Sequence, residues 1–441
     1  MVLKAIGFLL FLSLVFSFKA QEQENEPFSD SLNVYCFPDY AILDSTIGSR
    51  YPFMAMEKNN FQFFTAKSPN WEHFYHEFNA MVNQKDRKLN FYHLGGSHIQ
   101  ADIYSHDFRS FLQSNWSDIS GERGIVFPFD LANTNNPANY FFSSPNHWTA
   151  YRSISQRPET IDYGLMGAAL ICRDSLITIY FRHDKSNVKP PFSSIRIYHN
   201  KGELPFDLQF GEAELLVNRV EHNLEIGYTD VYFTDLIDTL DLQFSRNTEA
   251  VLGLEIYGFQ FMNSDPGISY TSIGINGAGL YTYLANENFE EQLTAYPPDF
   301  FTFSVGTNDA NVPFDRFDPQ VYKRNLEKMM KIVLKANPKC AILLTVPNDS
   351  YYHRKYLNRN IARQREVIIE LAEEYQQPVW DVYGLMGELG SSKLWFNNGL
   401  MQSDMVHFTS VGYHLKGDLL IDAFVKYLGQ MKQIDELKKI K

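Results

Sequence analysis

Cysteine is rare in this chain. Cys36, Cys172 and Cys340 are the only three in 441 residues. An odd, widely spaced set gives neither a disulfide framework nor a metal-ligand spacing. Cys172 and Cys340 lie in apolar runs, where buried thiols sit. Positive charge is also short: 39 Lys and Arg face 52 Asp and Glu, a formal net charge of −13. The Lys-rich end "KQIDELKKIK" reads as a solvated helix end. Nucleic acid, whose phosphates need concentrated positive charge, is therefore excluded as a partner. The 12 His are scattered, and His93, His98 and His106 lack H-x-x-x-H spacing, so no metal is expected. No G-x-x-x-x-G-K loop occurs, which sets nucleotide binding aside and leaves no cofactor to expect. Internal repeats and low-complexity linkers are lacking as well.

Long apolar runs are confined to the N-terminus. There Lys4 precedes an apolar run from Ala5 to Phe18, and "FKAQ" offers Ala20 for cleavage. The run is short for a membrane span and has the layout of a signal peptide, residues 1–20. An uncleaved anchor is the alternative. The expected location is secreted or periplasmic, with no transmembrane span in the mature chain. Aromatics, by contrast, are plentiful: 36 Phe, 26 Tyr and 5 Trp, within 44% hydrophobic residues. That is ample material for a core.

Two textures alternate along the chain. "NWEHFYHEFNAMVNQ" spaces Trp71, Phe74, Phe78 and Met81 on one helical face, with Asn70 as its N-cap. "KLNFYHLGG" is a strand that ends at glycines, and "ADIYSHDFRSFLQSNW" is again helical. From 132 to 262 the chain changes to alternating strands, among them "LITIYFRHD", "FDLQFGEAELLVNR" and "VLGLEIYGFQFM". This reads as an inserted all-β sandwich or jelly roll. Trp148, Tyr151 and Tyr163 within it have two readings, sugar stacking or core, and the core reading is favoured for most of the insert's aromatics. From 263 to 441 strands and helices alternate again. "GLYTYLANENFEEQL" is expected helical, and "DPQVYKRNLEKMMKIVLKANPK" is strongly amphipathic. The expected fold is thus α/β with a parallel sheet, its two parts at 31–131 and 263–441.

Three short turns fall where such a sheet places function, at the C-terminal ends of its strands, and a fourth feature lies just before the last helix. They are "GGSH" with Ser97, "GINGAG" with Gly277, "SVGTNDA" with Asn308, and "SDMVHFTSVGYH" with Asp404 and His407. Each is ordinary alone. A serine after glycines can cap a helix, and Gly and Asn are preferred in turns. Asp404 and His407 lie three positions apart, close enough for a carboxylate to fix the imidazole tautomer. Asn308 and the Gly277 N–H can serve as oxyanion donors.

In this order the four features resemble the blocks of the SGNH/GDSL family of serine esterases. The resemblance implies a flavodoxin-like three-layer α/β/α sandwich that needs no metal. It implies Ser97 as nucleophile, His407 as base and Asp404 as its orienting partner. Ser97 N–H, Gly277 N–H and Asn308 would form the oxyanion hole. Gly96 stands where the family usually has Asp. The segment "GERGIVFPFDLANTNNPANY" ahead of the β insertion is similar to the layout of bacterial peptidoglycan O-acetylesterases, whose insertion resembles a carbohydrate-binding module. The expected partner is therefore an acylated glycan substrate. An inactive glycan-binding protein and an O-acyltransferase are the competing readings. Oligomeric state is not readable from these features.

Overall fold

The computed structural model describes residues 40–155, 161–184, 189–248 and 253–440. The expected signal peptide and Cys36 lie outside the described residues. Near-continuous apolar runs build the central sheet, because its strands are covered on both faces. Its strands are β1 (Phe61–Gln62), β2 (Lys88–Gly95), β3 (Ser120–Glu122), β4 (Gly267–Gly274), β5 (Phe300–Ser304), β6 (Ala341–Val346) and β7 (Val379–Asp381). They lie in the order β1-β7-β6-β5-β2-β4-β3. β2 pairs in parallel with both β4 and β5, and β5–β6–β7 continue in parallel. The edge departs from the all-parallel expectation: β1 runs antiparallel to β7, Phe61 opposite Trp380.

Helices cover both faces. Pro69–Gln84, Tyr104–Ser114 and Ser410–Ile440 pack on one side. Phe289–Ala295, Pro319–Ala336 and Asn360–Glu374 pack on the other. Trp71, Phe74, Phe78 and Met81 are all buried, as their spacing predicts. The N-cap, however, is Ser68, with Pro69 opening the helix. Proline fits there because its missing N–H would have no partner in the first turn. Asn70 instead donates to the Pro338 and Cys340 carbonyls, at 3.1 and 2.9 Å. The stretch expected as one helix from Gly279 is two, Leu280–Tyr283 and Phe289–Ala295.

Between β3 and β4 the chain forms two antiparallel sheets. One runs Phe206–Gln209, Thr239–Arg246, Leu176–His183, Tyr140–Ser143. The larger is centred on Phe192–His199 and Leu254–Met262. Their inner faces meet through aromatic rings: Phe142 lies 5.2 Å from Phe259, and Phe181 stacks on Phe261 at 3.9 Å. Trp148 and Tyr163 are buried, and Tyr163 Oη donates to the Arg152 carbonyl. "FDLQFGEAELLVNR" is broken into two strands by a 3₁₀ turn at Gly211–Leu216. Gly211 sits at φ +50°, a conformation a regular strand does not contain. Cys172 and Cys340 are buried free thiols. Among the described residues, no helix is long and apolar enough to cross a membrane.

Candidate active site

β2 is the point where the chain's crossovers diverge, toward β4 on one side and β5 on the other. A crevice opens beyond the carboxyl ends of such strands. Gly95 ends β2, and the helix Ser97–Gln100 folds directly back on it, so that a side chain at 95 would strike Ile99 and the Ser304 carbonyl. Ser97 is the first residue of that helix.

Ser97 Oγ lies 2.7 Å from His407 Nε2. His407 Nδ1 lies 2.6 Å from Asp404 Oδ2. The carboxylate can only accept here, so Nδ1 carries the proton and Nε2 is left as the acceptor for Ser97. Asp404 Oδ1 in turn accepts from the Val406 and His407 amides, both at 3.0 Å. Burial raises the Asp404 carboxyl, and these hydrogen bonds outweigh it, holding it below its ordinary value. The arrangement can withdraw the Ser97 proton while the histidine gains charge beside an ionised partner.

The remaining two turns converge on the same place. Gly277 is third in a turn closed by Ala278 N–H to Ile275 O at 2.9 Å, with φ +86°. A Cβ there would meet only Ile154, at 3.6 Å, so conformation rather than space demands glycine. Asn308 follows β5, and its Nδ2 donates to the Ala278 carbonyl at 2.9 Å. A carbonyl partner requires N–H, which fixes the amide with its NH₂ inward and leaves a second hydrogen for the cleft. Asp309, next in sequence, accepts from Leu280 N–H at 3.0 Å and so ties the two turns together.

Ser97, His407, Gly277 and Asn308 line one cleft of about 720 Å³. Its walls include Asn135, Asn276, Asn311, Asn358 and Gln402, together with Tyr351, His353 and Arg354. Asn276 N–H donates to Gln100 Oε1 at 2.7 Å, and Gln100 Nε2 donates to the Asn135 carbonyl at 2.9 Å. The segment singled out before the β insertion thus supplies a cleft wall. The sequence reading missed this amide lining and the 351–358 loop. The available signal was position, since "NDSYYHRKYLN" follows β6 at its carboxyl end. Behind the cleft His98 is buried with Nδ1 2.8 Å from Tyr413 Oη. Lys416, also buried, lies over the Tyr104 and Phe408 rings, and burial pulls it down to about 7.

Residues 258–415 match the GDSL-like lipase/acylhydrolase family. The chain carries a GDSL-like acylhydrolase region. This match spans the Gly277, Asn308, Asp404 and His407 turns; Ser97 lies before it. Over most of its length the chain is similar in fold to a solved structure titled "Peptidoglycan O-acetylesterase in action". That superposition has a TM-score of 0.68 at 18% identity and covers 84% of this chain and 99% of the other. Smaller overlaps reach a lipase/acylhydrolase from Enterococcus faecalis, at 23% identity, TM-score 0.29 and 37% and 77% coverage. Another is Axe2, an acetyl xylan esterase from Geobacillus stearothermophilus, at 21% identity, TM-score 0.28 and 37% and 74% coverage. No curated protein matches the chain. The family match over residues 258–415 supports the ester-hydrolase reading.

Proposed function

We propose that the protein is an exported SGNH-type serine esterase that removes acyl groups, chiefly O-acetyl, from an extracellular or cell-wall glycan. The observation that carries this reading is the Ser97–His407–Asp404 relay, 2.7 and 2.6 Å per link, opening into an amide-lined cleft. In the proposed cycle Ser97 Oγ attacks the ester carbonyl as His407 Nε2 takes its proton. The oxyanion is held by the Ser97 and Gly277 N–H groups and the second Asn308 Nδ2 hydrogen. Among the described residues, neither backbone N–H makes a hydrogen bond within its own turn, which supports that assignment. His407 then returns the proton to the departing sugar oxygen, and water activated by His407 releases the acid.

The glycan part of the proposal draws on the likeness in fold to the O-acetylesterase and on the amide-rich walls. Amides can both donate to and accept from sugar hydroxyls. The domain division at 31–131, 132–262 and 263–441, and export through residues 1–20, belong to the same proposal. The test compares wild type and Ser97→Ala on p-nitrophenyl acetate and on O-acetylated glycan. The variant should lose roughly 10⁴–10⁶ in kcat with its circular dichroism unchanged. Equal rates for the two proteins would sink the esterase reading.

A further inference from the structure

The loop after β6 forms a small hairpin, Tyr351–Tyr352 against Tyr356–Leu357. Its first strand and its turn are fastened to the site. Tyr351 N–H donates to the Met405 carbonyl at 3.0 Å, inside the Asp404–His407 turn. His353 N–H donates to Asn311 Oδ1 at 3.3 Å, beyond the Asn308 turn. The hairpin therefore forms a wall of the cleft, in register with the reacting groups.

Its turn is chemically unusual. His353 and Arg354 both sit in the left-handed region, at φ +48° and +57°. Two successive left-handed residues are the pattern for which hairpins use Asn-Gly or Asp-Gly. Side chains with a Cβ are disfavoured there, and strain of this kind collects at functional sites. What the chain gains is a cation over the cleft. Arg354 lines the cleft, and its guanidinium makes no hydrogen bond or ion pair among the described residues. Its neighbour Lys355 lies over the Tyr356 ring at 5.3 Å, whereas among the described residues no ring holds Arg354. The other lining residues include no Asp or Glu, in a chain of net charge −13. A lone cation in an otherwise uncharged amide-lined cleft is complementary to a single anion on the ligand.

We infer that the His353–Arg354 turn reads a carboxylate on the sugar that bears the ester, so that the substrate is an acidic glycan. The inference rests on the esterase reading of the same cleft. Its binding test does not depend on turnover. Ser97→Ala protein is titrated calorimetrically with O-acetylated oligomers of a uronic acid and of a lactyl-ether sugar acid. Each is compared with its own carboxyl methyl ester, which removes the charge and keeps the sugar. At least one acid form should bind about three- to tenfold more tightly than its ester, and added salt should shrink the difference. Arg354→Gln in the Ser97→Ala background should abolish the preference, and Arg354→Lys should restore part of it. His353→Asn/Arg354→Gly gives the turn its favoured residues. It should raise Tm by about 1–3 °C while losing the preference, because strain is relieved as the cation goes. If neither acid outbinds its methyl ester, or if Arg354→Gln leaves the ratio intact, the inference is overturned. Failure of the esterase reading is seen separately: wild type would then hydrolyse nothing while the carboxylate preference persisted.

Discussion

Gly96 stands where the resemblance to SGNH/GDSL esterases calls for Asp, and the geometry gives a reason for glycine. A Cβ at 96 would come 2.9 Å from Asn308 Nδ2 and 3.3 Å from the Ala278 carbonyl, the two partners of the bond that orients Asn308. Its own φ is −105°, so the demand is for space and not for a left-handed backbone. The atom in the way is the end of a side chain, which can shift cheaply. Gly96→Ala should therefore fold normally and lose activity, because the Asn308 amide swings off the donor position proposed for it. The expected fall in kcat is about 10²-fold, the scale of one lost oxyanion donor, with KM little changed. Steady-state kinetics on p-nitrophenyl acetate, beside an unchanged Tm, check it. Gly96→Asp should do no better, since the Asp that the resemblance calls for meets the same clash. Asp404→Asn tests the other end of the relay. The amide can donate to His407 Nδ1 and favour the wrong tautomer, and kcat should drop by about 10³–10⁴.

At the scale of elements, the Gly277 and Asn308 turns are held to each other by Asp309. Burial pushes its carboxyl up to about 6 against the pull of the Leu280 N–H. Between the unfolded value of 3.8 and about 6 the native state holds a proton that the unfolded chain has lost. Stability therefore falls as pH rises through that window. Asp309→Asn keeps an acceptor for Leu280 and removes the titration. Its Tm advantage over wild type should be near zero at pH 4 and grow to pH 7, as thermal melts across that range would show. The strand-end turns themselves were legible in the sequence, because Gly, Ser and Asn after apolar runs mark strand ends whatever the tertiary contacts. Other elements were not. β1 is two residues long, too short to show any period, and its antiparallel pairing is decided by β7. The Ser68 cap was hidden by Asn70, whose amide is taken by two carbonyls far along the chain. The 351–357 hairpin takes its meaning from Met405 and Asn311, contacts that no local pattern announces.

At the scale of the whole molecule, the two α/β parts and the β sheets are joined through one buried carboxylate five residues after Ser97. Asp102 accepts from Arg109 at 3.1 Å and Arg123 at 2.8 Å, from Ser105 at 2.6 Å, and from Asn139 and Ser272, both at 2.8 Å. Those donors come from the helix after Ser97, the chain just past β3, the entry to the β sheets, and β4. Burial raises the Asp102 carboxyl, and the two guanidinium groups overcome it and hold the acid well below the usual carboxylate range. Its stabilising contribution is thus complete above the unfolded value of 3.8 and disappears only as pH falls through the lower native value. Any unfolding between pH 4 and 6 must come from other groups. Asp102→Asn leaves Arg109 and Arg123 buried without a counter-charge, and breaking such a cluster costs about 3–5 kcal/mol. Urea unfolding at pH 7 should show that loss as a lower midpoint. Removing a guanidinium as well, in Asp102→Asn/Arg123→Met, should recover a substantial part of it, because the penalty is uncompensated charge and not a missing contact. A double variant weaker than the single one would mean that Arg123 holds the β sheets to the α/β layers by its other bonds, to Asn139 and the Tyr270 carbonyl.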